Sequence, residues 1–372
     1  MSSVYPFVHN ERPTLGVEIE LQLLDAETMA LRNAIEEVMA ALPEELRGSV
    51  KPELMQSYLE INTGICASVA DVERDLTPKI RGVQQVVERL GLRLGWAGTH
   101  PFSNWSEQLV TRNERYLNLV EMLQDTARRL VTFGLHFHVG VDSGDKAVMI
   151  CDRIMAYLPT LLALSVNSPF WNGRKTGLHS QRVKVMEGLP TAGLPPLMRN
   201  WSEYTWLINH MVETGFIKTI REIWWDVRPH HNFGTVEIRI CDMPPNLPAV
   251  LGITALVQCL VYRLSEEIDR GTYQFDCHPI LVRQNKWRAC RYGLEANLVD
   301  PSTQRSTPAR QLVRDLVDRL GEIAETLDCA APLASVLDLI EQPTGAERQL
   351  ELFERTGDLA AVARGMLAIS TI

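Results

Sequence analysis

Three short stretches place ionisable side chains two residues apart: Glu18-Ile-Glu20, His136-Phe-His138 and Glu237-Ile-Arg239. In an extended chain residues i and i+2 share a face, so each pair projects to one side. The intervening positions are apolar: Val17, Ile19, Leu21 and Leu23 within residues 14–24, Leu135, Phe137, Val139 and Val141 within 135–142, and Val236, Ile238 and Ile240 within 234–242. Each stretch therefore reads as a strand with one dry and one polar face. A fourth stretch, residues 53–63, puts Tyr58, Glu60 and Asn62 together but gives Glu53 the opposite parity, so a bulge or turn must intervene if both acids converge.

Glu18, Glu20, Glu60 and Glu237 gathered with His138 on one sheet face would repel and raise one another's pKa unless a cation lay among them. Carboxylate oxygens with one imidazole suit Mg²⁺ or Mn²⁺, and Mg²⁺ commonly joins a few carboxylates to substrate phosphates. A single E-x-E strand is more often a solvated face, but several in one chain are poorly explained that way. The His136–His138 pair also suits zinc. However, no third His or Cys stands at motif spacing, and His230 and His231 point apart if extended, so a hydrogen-bonded imidazole is the plainer reading of either ring.

No GxxxxGK[ST] loop, GxGxxG after a strand, GxSxG elbow, HExxH helix or EF-hand loop occurs. Nucleotide binding, if present, uses another scaffold. Guanidiniums for phosphates or carboxylates are available at Arg228 in WWDVR and in the run Arg283, Lys286, Arg288, Arg291, although each taken singly is more often a surface or ion-pair residue.

The elements that must position these groups alternate strand with helix. Residues 69–94 follow a Ser68 cap with Asp71 at the capping-box position, and residues 113–130, 146–167 and 248–269 also carry helical patterning. The expected fold is α+β: a mainly antiparallel sheet with helices on one face and the other left open to carry the acids. Nothing resembling a linker divides the 372 residues, so residues 1–300 read as one catalytic domain and 301–372 as a helical extension packed on it.

A formal charge of −9 disfavours nucleic acid and anionic membranes as partners. The seven cysteines (Cys66, Cys151, Cys241, Cys259, Cys277, Cys290, Cys329) contain no CxxC and read as reduced thiols. The N-terminus lacks a signal-peptide pattern, and the longest apolar stretch, 249–264, is short for a span and contains Gln258 and Arg263, so a cytoplasmic location is expected. A homodimer is the default assembly at this size.

The segments TLGVEIELQLLD (14–25), ELMQSYLEINTGIC (53–66), GTHPF (98–102), NERY (113–116), FGLHFHVGV (133–141), WDVRP (225–229), FGTVEIRICDMP (233–244) and ACRYGLE (289–295), taken in order, resemble the type 2 glutamate–cysteine ligase family of YbdK-type carboxylate–amine ligases. The resemblance implies a glutamine-synthetase-like curved sheet around an ATP and metal site. It also implies ATP-dependent joining of a carboxylate to an amine, by default L-glutamate and L-cysteine, through an acyl phosphate. It assigns Glu18, Glu20, Glu53, Glu60 and Glu237 to divalent metals with His138 beside them, sets Arg239 against the transferred phosphate, and matches Arg182 to the arginine that grips the amino-acid carboxylate. Arg228, Arg288 and Arg291 are further substrate-binding candidates. Three alternatives stand beside this: another carboxylate and amine pair, a zinc-dependent hydrolase built on His136 and His138, and a non-catalytic metabolite-binding relative.

Overall fold

A computed structural model describes residues 5–272, 278–300 and 302–372; Cys277 lies outside them. Seven strands form one antiparallel sheet: β1 (Leu15–Asp25), β2 (Val50–Pro52), β3 (Tyr58–Asn62), β4 (Leu92–Gly95), β5 (Gly134–Gly140), β6 (Val227–His230) and β7 (Thr235–Asp242). Their order is β6-β7-β5-β1-β3-β2, and β4 pairs with the end of β1. β1 is the hub, because its eleven residues are long enough to pair with β5 over Leu15–Ile19, β3 over Glu18–Gln22 and β4 over Gln22–Asp25. The turn required before Glu60 is present: chain 53–57 leaves the sheet between β2 and β3, held by the Gln56 N–H on the Leu109 carbonyl at 2.8 Å.

The apolar face lies under α1 (Val69–Arg89), α4 (Leu158–Ser165) and α6 (Leu247–Asp269). Val17, Ile19, Leu21, Phe137, Val139, Val236 and Ile238 are sealed beneath them, each 1% exposed or less. Every buried methylene group contributes about 0.8 kcal/mol, so this face dominates the energy that holds the sheet to its helices. α1 begins as its cap residues dictate: the Ser68 hydroxyl accepts from the Asp71 N–H, and the Asp71 carboxylate accepts from the Ser68 N–H. By length and composition α6 could cross a membrane, but most of it is buried as the protein's central helix.

Two helices expected as single runs are broken. α2 (Glu114–Leu123) ends at Gln124, which has a φ of +50°, and a short helix follows. The 146–167 stretch divides into α3 (Gly144–Ile154) and α4, bent by 66°, with Pro159 in the first turn of α4, where its missing N–H costs nothing. After α5 (Gln181–Met186) and α7 (Pro279–Tyr292) come four C-terminal helices, Ala309–Thr326, Ala330–Glu341, Gly345–Thr356 and Leu359–Ile369. The first two pack on α6.

The polar face is not open, contrary to the expectation from strand alternation. Glu60, His136 and Glu237 are 7%, 2% and 1% exposed. Alternation reports only that a face is polar; here Arg115 and Tyr116 of α2, Arg182 of α5 and Glu53 of chain 53–57 lie over it and roof it.

Candidate active site

Strand register sets the polar face in rows. On the antiparallel ladder Arg228 lies opposite Glu237, Glu237 opposite His138 and His138 opposite Gly16. Further along, His136 faces Glu18 and Glu18 faces Asn62; then Glu20 faces Glu60 and Glu60 faces Lys51. Gly16 leaves the space beside Glu18 free, so both imidazoles reach that carboxylate: His136 Nδ1 is 3.4 Å from Oε2 and His138 Nε2 is 3.6 Å from Oε1. Thr235 Oγ1, 2.9 Å from His138 Nδ1, fixes the second ring.

Two electrostatic regimes meet here. Glu237 is balanced: Arg228 Nε lies 2.7 Å from its Oε2, and Arg239 Nη1 pairs with its Oε1. Burial would raise its pKa, but the two guanidiniums outweigh that and hold it well below the carboxylate range. Glu18 is likewise held low against burial by its two histidine contacts. Glu53 and Glu60 are not balanced. Burial first, then the Glu20 and Glu18 carboxylates, push Glu53 up to about 7. Burial, with Glu18 and Glu53 next, raises Glu60 well above its ordinary value, despite Lys51 Nζ at 3.7 Å and the Asn62 amide at 2.9 Å.

This imbalance is what a divalent cation would remove. Glu18, His138 and Glu237 offer ligand atoms all within 4.8 Å of one another, and so do Glu18, Glu60 and His136. The buried Asn62 Oδ1 accepts no hydrogen bond among the described residues. Hard oxygen donors with single imidazoles fit Mg²⁺ or Mn²⁺.

Beside the acids lies a cleft of about 90 Å³ whose walls include Glu20, Glu53, Arg115, Arg182, His136 and Arg239. Arg182 comes from α5, where the Ser180 hydroxyl accepts from the Val183 N–H to start the helix and donates to Asp242 Oδ1 at 2.8 Å. Its guanidinium donates to the Ile240 and Arg239 carbonyls at 3.2 Å. Glycine at 134 lets this guanidinium come close, since a Cβ there would lie 2.2 Å from Arg182 Nη2 and would have to displace it. Tyr116 OH reaches Glu53 Oε2 at 3.5 Å.

Of the residues singled out in the sequence, Glu18, Glu20, Glu53, Glu60, His138, Arg182, Arg228, Glu237 and Arg239 converge. Arg288 and Arg291 do not line the cleft: on α7, Arg288 Nη1 donates to the Asn297 carbonyl at 3.0 Å and Arg291 stacks 4.8 Å from the Tyr292 ring. That helix contributes instead the buried Lys286, paired with Asp226 at 2.5 Å and Glu187 at 2.8 Å. Sequence reasoning offered His136 only as half of a zinc pair, and gave no role to Arg115 and Tyr116. His136 shares the strand parity of His138, which was signal enough; the two NERY residues carried no periodic signal toward the sheet.

The fold is that of glutamate–cysteine ligases. A glutamate–cysteine ligase from Francisella tularensis, solved with AMP, superposes with a TM-score of 0.69 at 12% identity over 97% of this chain and 89% of its own. A bifunctional glutathione synthetase from Pasteurella multocida gives 0.70 at 14% identity over 96% of this chain, which spans about half (52%) of that longer protein.

The chain belongs to glutamate–cysteine ligase family 2 (GCS2), whose family model matches residues 14–366. Relatives provisionally named glutamate–cysteine ligase 2 and 2-1, from Gloeobacter violaceus and Frankia alni, are 46% and 42% identical; the alignments cover 98% of both chains in the first case, and 97% of this chain and 96% of the relative in the second.

Proposed function

We propose that this protein joins a carboxylate to an amine at the expense of ATP, through an acyl phosphate, with L-glutamate and L-cysteine as the default pair. The observation that carries the reading is the adjacency of an under-neutralised acid cluster, Glu20, Glu53 and Glu60, to a cleft walled by Arg115, Arg182 and Arg239. Membership in the family supports ATP as the co-substrate.

Amide formation from a free carboxylate is uphill in water, so the carboxylate oxygen first attacks the γ-phosphorus of ATP and ADP departs. Arg182, a wall residue of the cleft whose buried Nε has no acceptor among the described residues, orients the substrate carboxylate. Arg239 faces the charge that spreads over the transferred phosphoryl oxygens, a contact worth most in a site from which water is largely excluded. Glu18, Glu20, Glu53, Glu60, His138 and Glu237 would hold Mg²⁺ or Mn²⁺, which would neutralise charge on the phosphate oxygens. The amine then attacks the acyl carbon, the C–O bond to phosphate breaks, and the nitrogen gives up its proton as the amide forms. Glu53 lines the cleft and stands among the groups placed to accept that proton.

The test is ADP release with Mg²⁺ and ATP, supplying L-glutamate alone, glutamate with L-cysteine, then other acids and amines. Turnover that needs both substrates and vanishes in Glu20→Gln supports the reading. Nucleotide binding with no turnover over the whole panel overturns it.

A further inference from the structure

The 90 Å³ cleft admits the reacting carboxylate and an amine nitrogen but little more. Two of its wall residues, Arg115 and Leu119, also line a second and larger cavity of about 390 Å³, a volume in the range of small-molecule sites. Its remaining walls come from α2 (Glu114, Asn118, Met122) and from chain 218–222. An amine whose nitrogen reaches the cleft past Arg115 has its body in this vestibule.

The charges of the vestibule are unequally committed. Glu114 sits in the first turn of α2, where the helix dipole favours a carboxylate, and Glu222 Oε2 accepts the Lys218 backbone N–H at 2.9 Å. The cations Arg115, Lys218 and Arg221 form no ion pair with a carboxylate among the described residues. Arg115 lies over the Tyr116 ring, 5.6 Å from its centroid, and acts on Glu53, whereas Lys218 and Arg221 are exposed at the cavity and available to an anion that enters it. Leu119 and Met122, the latter 41% exposed, add an apolar strip between the cleft and these cations.

Resting on the carboxylate–amine ligase reading above, but departing from its default amine, we infer that the amine substrate is larger than cysteine. It carries an anionic group several bonds from its amine, which Lys218 and Arg221 receive while its alkyl or peptide body lies along Leu119 and Met122. Arg115, shared by both cavities, marks the boundary between the reacting end and the recognised end.

The experiment compares glycyl-alanine with glycyl-alaninamide, two dipeptide amines of matched shape of which only the first carries a distal anionic group. Hydroxylamine, which needs no vestibule, serves as the reference acceptor, and ADP release is followed with the carboxylate that the substrate panel identifies. For each protein the quantity read is kcat/KM for the dipeptide divided by that for hydroxylamine, which cancels any change in the amount of folded enzyme. The native protein should prefer glycyl-alanine by roughly tenfold or more, the scale of one charge-assisted contact. In the K218E/R221E double variant that preference should disappear or reverse. Equal use of the two dipeptides by a native enzyme that turns over hydroxylamine overturns this inference and leaves the ligase reading standing. Absence of hydroxylamine-dependent turnover with every carboxylate overturns the ligase reading, and this inference with it.

Discussion

Arg182 donates a hydrogen bond to His136: its Nη2 stands 3.3 Å from the imidazole Nε2. A guanidinium has no acceptor, so Nε2 must be the unprotonated ring nitrogen, and the proton of the neutral ring sits on Nδ1, 3.4 Å from Glu18 Oε2. Burial, with Arg239 next, holds the pKa of His136 down, in keeping with a neutral ring. A residue from α5 thus sets the tautomer of a residue on β5 and aims its N–H at an acid on β1. Arg182 itself, 3% exposed, forms no ion pair with a carboxylate among the described residues.

Replacing Arg182 with Met should therefore leave the fold in place while weakening capture of the carboxylate substrate. We expect KM for that substrate to rise about tenfold or more, with a smaller effect on kcat, as for loss of a charge-assisted contact made in the ground state. Steady-state kinetics with the second substrate saturating would check this. A fall in kcat at constant KM would move Arg182 from binding to the chemical step.

Arg239 should behave in the opposite way. In Arg239→Ala, Arg228 still pairs with Glu237, so the thermal transition should shift little while kcat falls by roughly a hundredfold, the usual result of removing one transition-state charge contact. Near-normal kcat in this variant would take Arg239 out of the mechanism.

Glu53 gives the protein without metal a pH-dependent stability of known sign. Its folded pKa, about 7, lies above its ordinary value, so the folded state holds this proton more tightly than the unfolded chain. The resulting stabilisation is complete below the unfolded pKa near 4.5 and is lost as pH rises through 7. Melting curves in EDTA should show Tm falling by a few degrees between pH 6 and pH 8. Glu53→Gln should flatten that slope.

Metal binding should show the complementary trend. Cation ligands must be deprotonated, so protonated Glu53 and Glu60 make Mg²⁺ binding release protons, and affinity should strengthen as pH rises from 6 to 8. Calorimetric titrations in two buffers of different ionisation enthalpy would count the protons. Zero release would mean that neither acid is a ligand.

Glu20→Gln should separate stability from activity. The Glu20 carboxylate raises the pKa of both Glu53 and Glu60, and its Oε2 accepts the Gly134 N–H, a role an amide oxygen can keep. The variant should melt higher than the native protein in EDTA at pH 8 and yet lose ADP release. A lower Tm would show that the like-charge repulsion is already relieved by other means.

The sheet was legible because its evidence is local. Alternation assigns Glu18 and Glu20 to the face opposite Val17, Ile19 and Leu21, and Ser68 with Asp71 announces the start of α1, whatever the rest of the chain does. The break in 146–167 was less legible: an apolar run containing Pro159 can be one kinked helix or two, and packing decides which. Arg288 and Arg291 were offered for their charge alone, and charge does not specify the direction in which a helix presents it.

What sequence alone determined about this protein is therefore which residues share a face: the acids and imidazoles of β1, β5 and β7 follow from a period of two. Which of those faces meet, and in what order, was decided by the tertiary structure. Register places His136 against Glu18 and Glu237 against His138 across roughly a hundred residues of chain, and a slip of one residue would have turned either strand's polar groups into the core. Register likewise set Arg228 opposite Glu237, and packing brought Arg182 from α5 to His136, leaving Glu53 and Glu60 without balancing charge. No periodicity carries that difference, because it depends on distances between groups that are neighbours only once the chain has folded.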